Sequence, residues 1–222
     1  RIAAFTIPMY NRDNKSKHPF FGYPLADVVA MYKRGVDACM KGRSEKPIFV
    51  CHDWGAMLTW ELVAQFPEIG SKIVALDIAQ HTGKKDAKQL AIILCYQWLL
   101  CFLYLLPSFI GTFFTSRVAK VFGAPNAKRA HAGMNYLYLQ LWKLIFTNKL
   151  PKSLTRFAPP EVPVLYLYAT VGPLKWYSKR WLEHMEKTPG CRAVAMDADH
   201  WFMTRRKTSE KATREIVKFL AE

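Results

Sequence analysis

Five short apolar runs, at residues 1–7, 47–51, 73–78, 162–168 and 191–196, constrain this chain more than any other feature. The later runs are mostly apolar rather than alternating, interrupted only by Asp77 and Arg192, and all are too short for a helix, which is the pattern of strands buried on both faces of a parallel sheet. Helical patterns lie between them. Residues 24–41 repeat Leu25, Val28, Val29, Tyr32, Val36 and Cys39 and stop at Gly42, and a second pattern runs from Trp54 through Met57, Leu58, Leu62, Val63 and Phe66 to Pro67. An amphipathic stretch covers residues 176–185, and a last helix is predicted over 209–220. This alternation predicts an α/β fold built on a mostly parallel, partial sheet of about five strands. The first run leads into a polar loop over residues 11–18.

The alternation breaks once. Residues 81–160 carry no strand signal, only helical material and loops, so they read as an inserted helical cap between two parts of the core, residues 1–80 and 161–222. Within the cap, residues 89–116 contain no charged side chain. Such a length could cross a bilayer, and Lys84, Lys85, Lys88, Arg117 and Lys120 flank it as interfacial residues would. Pro107, Ser108 and Gly111 interrupt the stretch, and a cap over an apolar pocket needs much the same composition. A cap whose mouth rests on a membrane satisfies both readings.

Composition narrows the classes further. With 51% apolar and 14% aromatic residues the chain can build a core, which excludes disorder. The formal net charge of +15 raises nucleic acid or an anionic membrane as partners. The basic residues are spread along the chain with no nucleic-acid motif, so nucleic acid is not expected as a partner. Five cysteines, Cys39, Cys51, Cys95, Cys101 and Cys191, are an odd number without a C-x-x-C pair. They read as buried reduced thiols of a cytoplasmic protein, and no thiolate zinc site or other metal is expected. The triplet Asn14-Lys15-Ser16 is frequent enough by chance to carry no argument for secretion. Oligomeric state is not legible.

Chemistry concentrates at Cys51-His-Asp-Trp-Gly55, directly between a predicted strand and a predicted helix. A nucleophile on a sharp strand-to-helix turn needs small residues two positions to either side, and Cys51 and Gly55 meet that need around Asp53. A carboxylate at this place is a poor acyl-transfer agent, but it can displace a leaving group at saturated carbon and form an alkyl ester. The helix N-terminus lowers the carboxylate's pKa, and the backbone N–H of Trp54 can stabilise an oxyanion. Asp53 could equally be an ordinary helix N-cap.

At these residues the sequence resembles the epoxide hydrolase and haloalkane dehalogenase branch of the α/β-hydrolase superfamily. His52-Asp-Trp-Gly55 matches that branch's nucleophile elbow, and Asp199-His200-Trp201 before the final helix matches the position of its catalytic histidine. The resemblance implies an α/β-hydrolase fold with an inserted cap, Asp53 as nucleophile and His200 as the base that activates water. It also implies a full sheet with earlier strands and a His-Gly-x-Pro type loop. No His-Gly pair occurs here, so the chain is expected to lack an N-terminal portion.

A histidine base needs an acid to fix its tautomer. Many epoxide hydrolases carry it after the strand matching residues 162–168, where this chain has Ala169-Thr-Val-Gly-Pro173 and no acid. Some haloalkane dehalogenases carry it one strand after the elbow, which corresponds here to Asp77. Asp77 is otherwise a charge in an apolar strand that needs a partner, or a strand-end cap. Asp197 and Asp199 lie too close to His200 in sequence to reach its far nitrogen. Epoxide opening also needs a proton donor, which the resemblance places on cap tyrosines. Tyr136 is the first choice, with Tyr138, Tyr96 and Tyr104 as further candidates. Trp54 and Trp201 join Tyr138 and Tyr96 as expected substrate contacts. The predicted function is hydrolysis of apolar epoxides without a cofactor. A halide leaving group, or a non-catalytic apolar-ligand or membrane module, is the alternative.

Overall fold

The computed structural model describes residues 2–13 and 17–222; the Asn14-Lys15-Ser16 triplet lies outside them. In chain order the elements are α1 (Leu25–Met40), β1 (Ile48–His52), α2 (Trp54–Gln65), β2 (Lys72–Leu76), α3 (Ala87–Leu105), α4 (Ser108–Val121), α5 (Tyr136–Phe146), α6 (Lys152–Thr155), β3 (Val164–Ala169), α7 (Lys179–Lys187), β4 (Arg192–Met196) and α8 (Arg206–Ala221). The chain divides into two compact units, a helical one of Arg1–Gly35 with Lys85–Leu150 and a sheet one of Val36–Lys84 with Pro151–Glu222.

In the sheet unit the four strands are all parallel and lie in the order β1-β2-β3-β4. Register pairs Cys51 with Ala75, Val74 with Leu165 and Tyr166 with Ala193. Because side chains alternate along a strand, each strand feeds two cores. One face sends Val74, Leu76, Leu165, Leu167 and Met196 against Phe202 and against Ala212 and Phe219 of α8. On the other, Tyr166 meets Trp181 of α7, whose ring lies 5.6 Å from that of Trp60 on α2. Sequential strands lying side by side in parallel require a crossover between each pair. α2 makes the first and α7 the last, while the β2-to-β3 crossover carries the long helical excursion.

The first apolar run departs from its prediction. Residues 2–7 form no strand and are largely exposed, and among the described residues the sheet has four strands rather than about five. Among the described residues β1 pairs only with β2, and the run belongs to the helical unit. In the helical unit α3 and α4 pack closely at Gly111, where a Cβ would stand 2.2 Å from the Leu103 carbonyl oxygen. Asn135 Nδ2 donates to Thr115 Oγ1 of α4 at 2.8 Å. The cysteines are free, but Cys39 and Cys95 are exposed rather than buried. The apolar spacing around them reflected helix position, not depth. Burial pushes the Cys51 thiol up to about 12 and Cys101 to about 11, which keeps both protonated.

Candidate active site

β1 delivers the chain to Asp53, whose backbone adopts φ 51° and ψ −126° before α2 begins. A non-glycine residue at positive φ stores strain, and such strain collects where a side chain must be held out from a turn. The Asp53 carboxylate makes no capping hydrogen bond to α2, so it is not spent as a helix cap. Of its small neighbours, Cys51 is buried with its thiol 3.6 Å from the Val74 carbonyl oxygen. Gly55 is different: a Cβ there would meet no atom within 4 Å, so no steric need for glycine is seen at that position.

β2 ends at Leu76, and Asp77 follows with φ 65°, a second carboxylate at positive φ past a strand terminus. Its main chain is pinned on both sides: Asp77 N–H donates to the Leu167 carbonyl at 2.8 Å, and its own carbonyl accepts the Tyr166 hydroxyl at 2.7 Å. The carboxylate is buried. Oδ1 accepts the Ala169 N–H at 2.8 Å, and Oδ2 stands 2.6 Å from His200 Nδ1. A buried carboxylate flanked by a donor on each oxygen is satisfied, which removes the cost of burying it.

His200 sits in the loop after β4. Thr170 N–H and Val171 N–H bond to the carbonyls of Met196 and Ala198 and so tie that loop to the end of β3. With Nδ1–H donating to Asp77, Nε2 is left as an acceptor, and it points toward Asp53 Oδ1 at 4.0 Å. That separation exceeds a hydrogen bond, so Nε2 is not consumed by the carboxylate. Burial pulls the imidazole's pKa down, but the hydrogen bond to Asp77 and the charges of Asp53, Asp77 and Asp199 outweigh it. The net shift is upward from 6.5.

His52 is a member of this group that sequence reasoning did not single out. Its Nε2–H donates to the His200 carbonyl at 3.1 Å, and the two rings lie 4.3 Å apart. Burial, then the charge of His200, lowers its pKa, so it stays neutral near pH 7. The available signal was position, since the residue before a nucleophile elbow ends the central strand. Trp201 closes the other side, with its ring 5.0 Å from His200 and 5.2 Å from His52. Asp199 takes a separate part: it accepts the Trp201 N–H and pairs with Arg205 at 2.9 Å. Asp197 is exposed, and Gly172 stands at φ 125° with open space around it. Trp54 is buried as the first residue of α2.

The tyrosines lie in the helical unit. Tyr136 is fully buried against Gly22 and Tyr23, and its hydroxyl has no hydrogen-bond partner. Burial, with Tyr23 and Tyr104 nearby, raises its pKa. Tyr104 donates its hydroxyl proton to the Phe20 carbonyl at 2.6 Å. The Tyr96 hydroxyl accepts Gln97 Nε2 at 3.1 Å, and its ring lies 5.9 Å from that of Tyr138. Among the described residues no group of three or more His, Cys, Asp or Glu could hold a metal ion.

A parallel sheet with a strained Asp53 between β1 and α2, Asp77 after β2 and His200 after β4 is the arrangement of an α/β-hydrolase fold. Solved structures agree over most of the chain. An epoxide hydrolase variant from Bacillus megaterium, bound to its diol product, aligns with a TM-score of 0.63 at 16% identity, covering 94% of this chain and 80% of that one. An epoxide hydrolase from Vigna radiata aligns at 0.59 with 15% identity, over 94% and 78% of the two chains. An esterase from a marine microorganism aligns at 0.56 with 13% identity, over 93% and 80%. No protein-family model and no curated protein sequence matches the chain. The chain has the α/β-hydrolase fold and is structurally similar to epoxide hydrolases.

Proposed function

We propose that the chain is a hydrolase of apolar epoxides that works through a covalent ester on Asp53, with no cofactor. The supporting observation is the relay from Asp53 through His200 to the buried Asp77 carboxylate. An Asp53 carboxylate oxygen attacks an epoxide carbon, the C–O bond breaks, and the alkoxide takes a proton. That proton is taken from a water molecule, which is left as hydroxide. His200 Nε2 then accepts a proton from water, and the hydroxide adds to the ester carbonyl carbon. Asp77 holds the resulting imidazolium. Collapse expels the diol oxygen, which takes the proton back from His200; Asp53 emerges as the carboxylic acid and gives its proton to the hydroxide left by the first step, which restores the carboxylate.

Removing the base while keeping the nucleophile separates the two steps. In His200→Ala, intact-mass spectrometry after incubation with aryl and aliphatic epoxides should show a stoichiometric adduct, located on Asp53 by peptide mapping. Asp53→Ala should show none and should lose turnover by about 1,000-fold or more. Absence of any adduct in His200→Ala would sink this reading. The position of the acid favours a second reading. Asp77 follows β2, the arrangement of the dehalogenase-like part of the resemblance, so haloalkanes belong in the same panel, read by halide release.

A further inference from the structure

The charge excess is not evenly spread. The helical unit holds fourteen Lys and Arg against three Asp and Glu, a net +11, whereas the sheet unit holds eighteen against fourteen, a net +4. Exposed apolar side chains follow the same division. Among the described residues, sixteen of the 22 large apolar side chains left exposed belong to the helical unit.

They are ordered on α3 and α4. α3 turns Leu100, Cys101 and Leu103 inward and leaves Leu90, Trp98, Leu99, Phe102 and Leu105 exposed, a stripe at helical spacing with no charge in it. The solvent face of a helix is normally polar. α4 repeats the pattern with Phe109 at 77% exposure, Phe113 at 53% and Val121 at 84%, and then places Arg117 over the Phe113 ring at 4.9 Å. Phe109 and Phe113 also line an open depression of about 800 Å³, together with Arg12, His18 and His131. Trp98 extends the patch to Trp142 and Phe146, at 5.1 and 5.7 Å.

We infer that this face of the helical unit lies on an anionic lipid bilayer, with the α3 and α4 stripes in the acyl boundary and the basic side chains at the phosphates. Aromatic rings rimmed by Lys and Arg suit a membrane interface. A second copy of the chain would bring another +11 against the first, while an anionic lipid surface attracts that charge. α3 has the length and apolarity to cross a bilayer, and only 22% of that span is buried, so most of it is free to meet lipid. Its inner side is committed to α4, whose Gly111 admits the Leu103 carbonyl. Buried Gln97 lies on that side too. The helix therefore lies along the interface rather than through it. This inference stands apart from the chemistry of Asp53 and survives its failure.

The test is co-sedimentation of the full chain with vesicles of phosphatidylcholine alone and of phosphatidylcholine mixed with phosphatidylserine, at low and high salt. Binding to the mixed vesicles should be about tenfold or more tighter than to the neutral ones, and salt should weaken it. The triple variant Phe102→Ser, Phe109→Ser, Val121→Ser should lose about tenfold or more in affinity. All three side chains are exposed, so circular dichroism should be unchanged. Arg117→Glu with Lys120→Glu should weaken binding to the anionic vesicles alone. The inference is overturned by no pelleting with either vesicle, or by wild-type binding in the triple variant. It is also overturned if the chain self-associates without lipid and the triple variant abolishes that association, which would assign the face to a second copy.

Discussion

The sheet unit and the helical unit treat charge in opposite ways. The sheet unit is near balance, and it takes carboxylates inside: Asp77 and Glu61 are both buried, and each finds partners, Glu61 in Ser153 and Gln65. The helical unit keeps its three acids, Asp13, Asp27 and Asp86, exposed, carries the larger basic excess and turns aromatic rings outward. A buried carboxylate is tolerated only when backbone and side chain are arranged around it, and around Asp77 that arrangement fixes the orientation of the His200 ring. An exposed aromatic stripe contributes nothing to its own unit's core. The first unit gathers polar groups inside, and the second leaves apolar rings outside.

The largest expected effect breaks the sheet unit's side of that contrast. Asp77→Asn keeps the shape but presents an amide to His200 Nδ1, so the imidazole loses its fixed tautomer and its counter-charge. Turnover on the substrate that alkylates Asp53 should fall by about 10,000-fold, by analogy with other His–Asp pairs. Steady-state kinetics with the adduct-forming substrate checks this. A loss below about tenfold would reduce Asp77 to a strand-end cap.

In the helical unit the equivalent cut is steric. Gly111→Ala would set a Cβ 2.2 Å from the Leu103 carbonyl oxygen and 3.0 Å from the Ala132 Cβ, and neither is the far end of a flexible side chain. Overpacking of this kind costs about 1–3 kcal/mol, read by denaturant unfolding. Turnover of the folded fraction should stay near that of the unaltered protein. If Gly111→Ala instead removed turnover at full stability, the division between a chemical interior and a packing interior would fail.

What was legible in the sequence follows the range of each interaction. The four strands and the elbow are local signals, since a short apolar run and the residue after it announce both the strand and its exit. Asp77 was legible because a charge at the end of an apolar strand must be answered, although its partner lies 123 residues away. His52 was not, because its contact is to a main-chain carbonyl that composition does not reveal. The unit boundary was hidden for a similar reason. Residues 2–7 read as strand because they are apolar, but a strand needs a neighbour, and these residues belong to the helical unit. Gly22 was also silent, although its φ of 70° and missing Cβ are what admit the Tyr136 ring.

The smallest effect is a displaced titration, and it sharpens the contrast through one histidine from each unit. His131 and His200 share an ordinary value of 6.5. Burial pulls His131 down, and Arg12 adds to this despite the hydrogen bond the ring donates to the backbone carbonyl of Tyr10. Burial also opposes the charge on His200, but Asp77 and Asp53 more than compensate, and its pKa rises. A base must be neutral, so turnover should fall as pH drops through a value above 6.5. Stability runs the other way. Protonated His200 stabilises the fold fully below the unfolded value of about 6.5, and that contribution is lost as pH rises through the folded pKa. Asp77→Asn leaves the burial and removes the strongest opposing interaction, so the His200 titration should move to lower pH while His131 stays in place. Proton NMR of the two imidazoles reads both shifts in one sample. A His200 titration below 6.5 in the unaltered protein, or one that Asp77→Asn leaves in place, would show its environment to be that of an ordinary buried histidine.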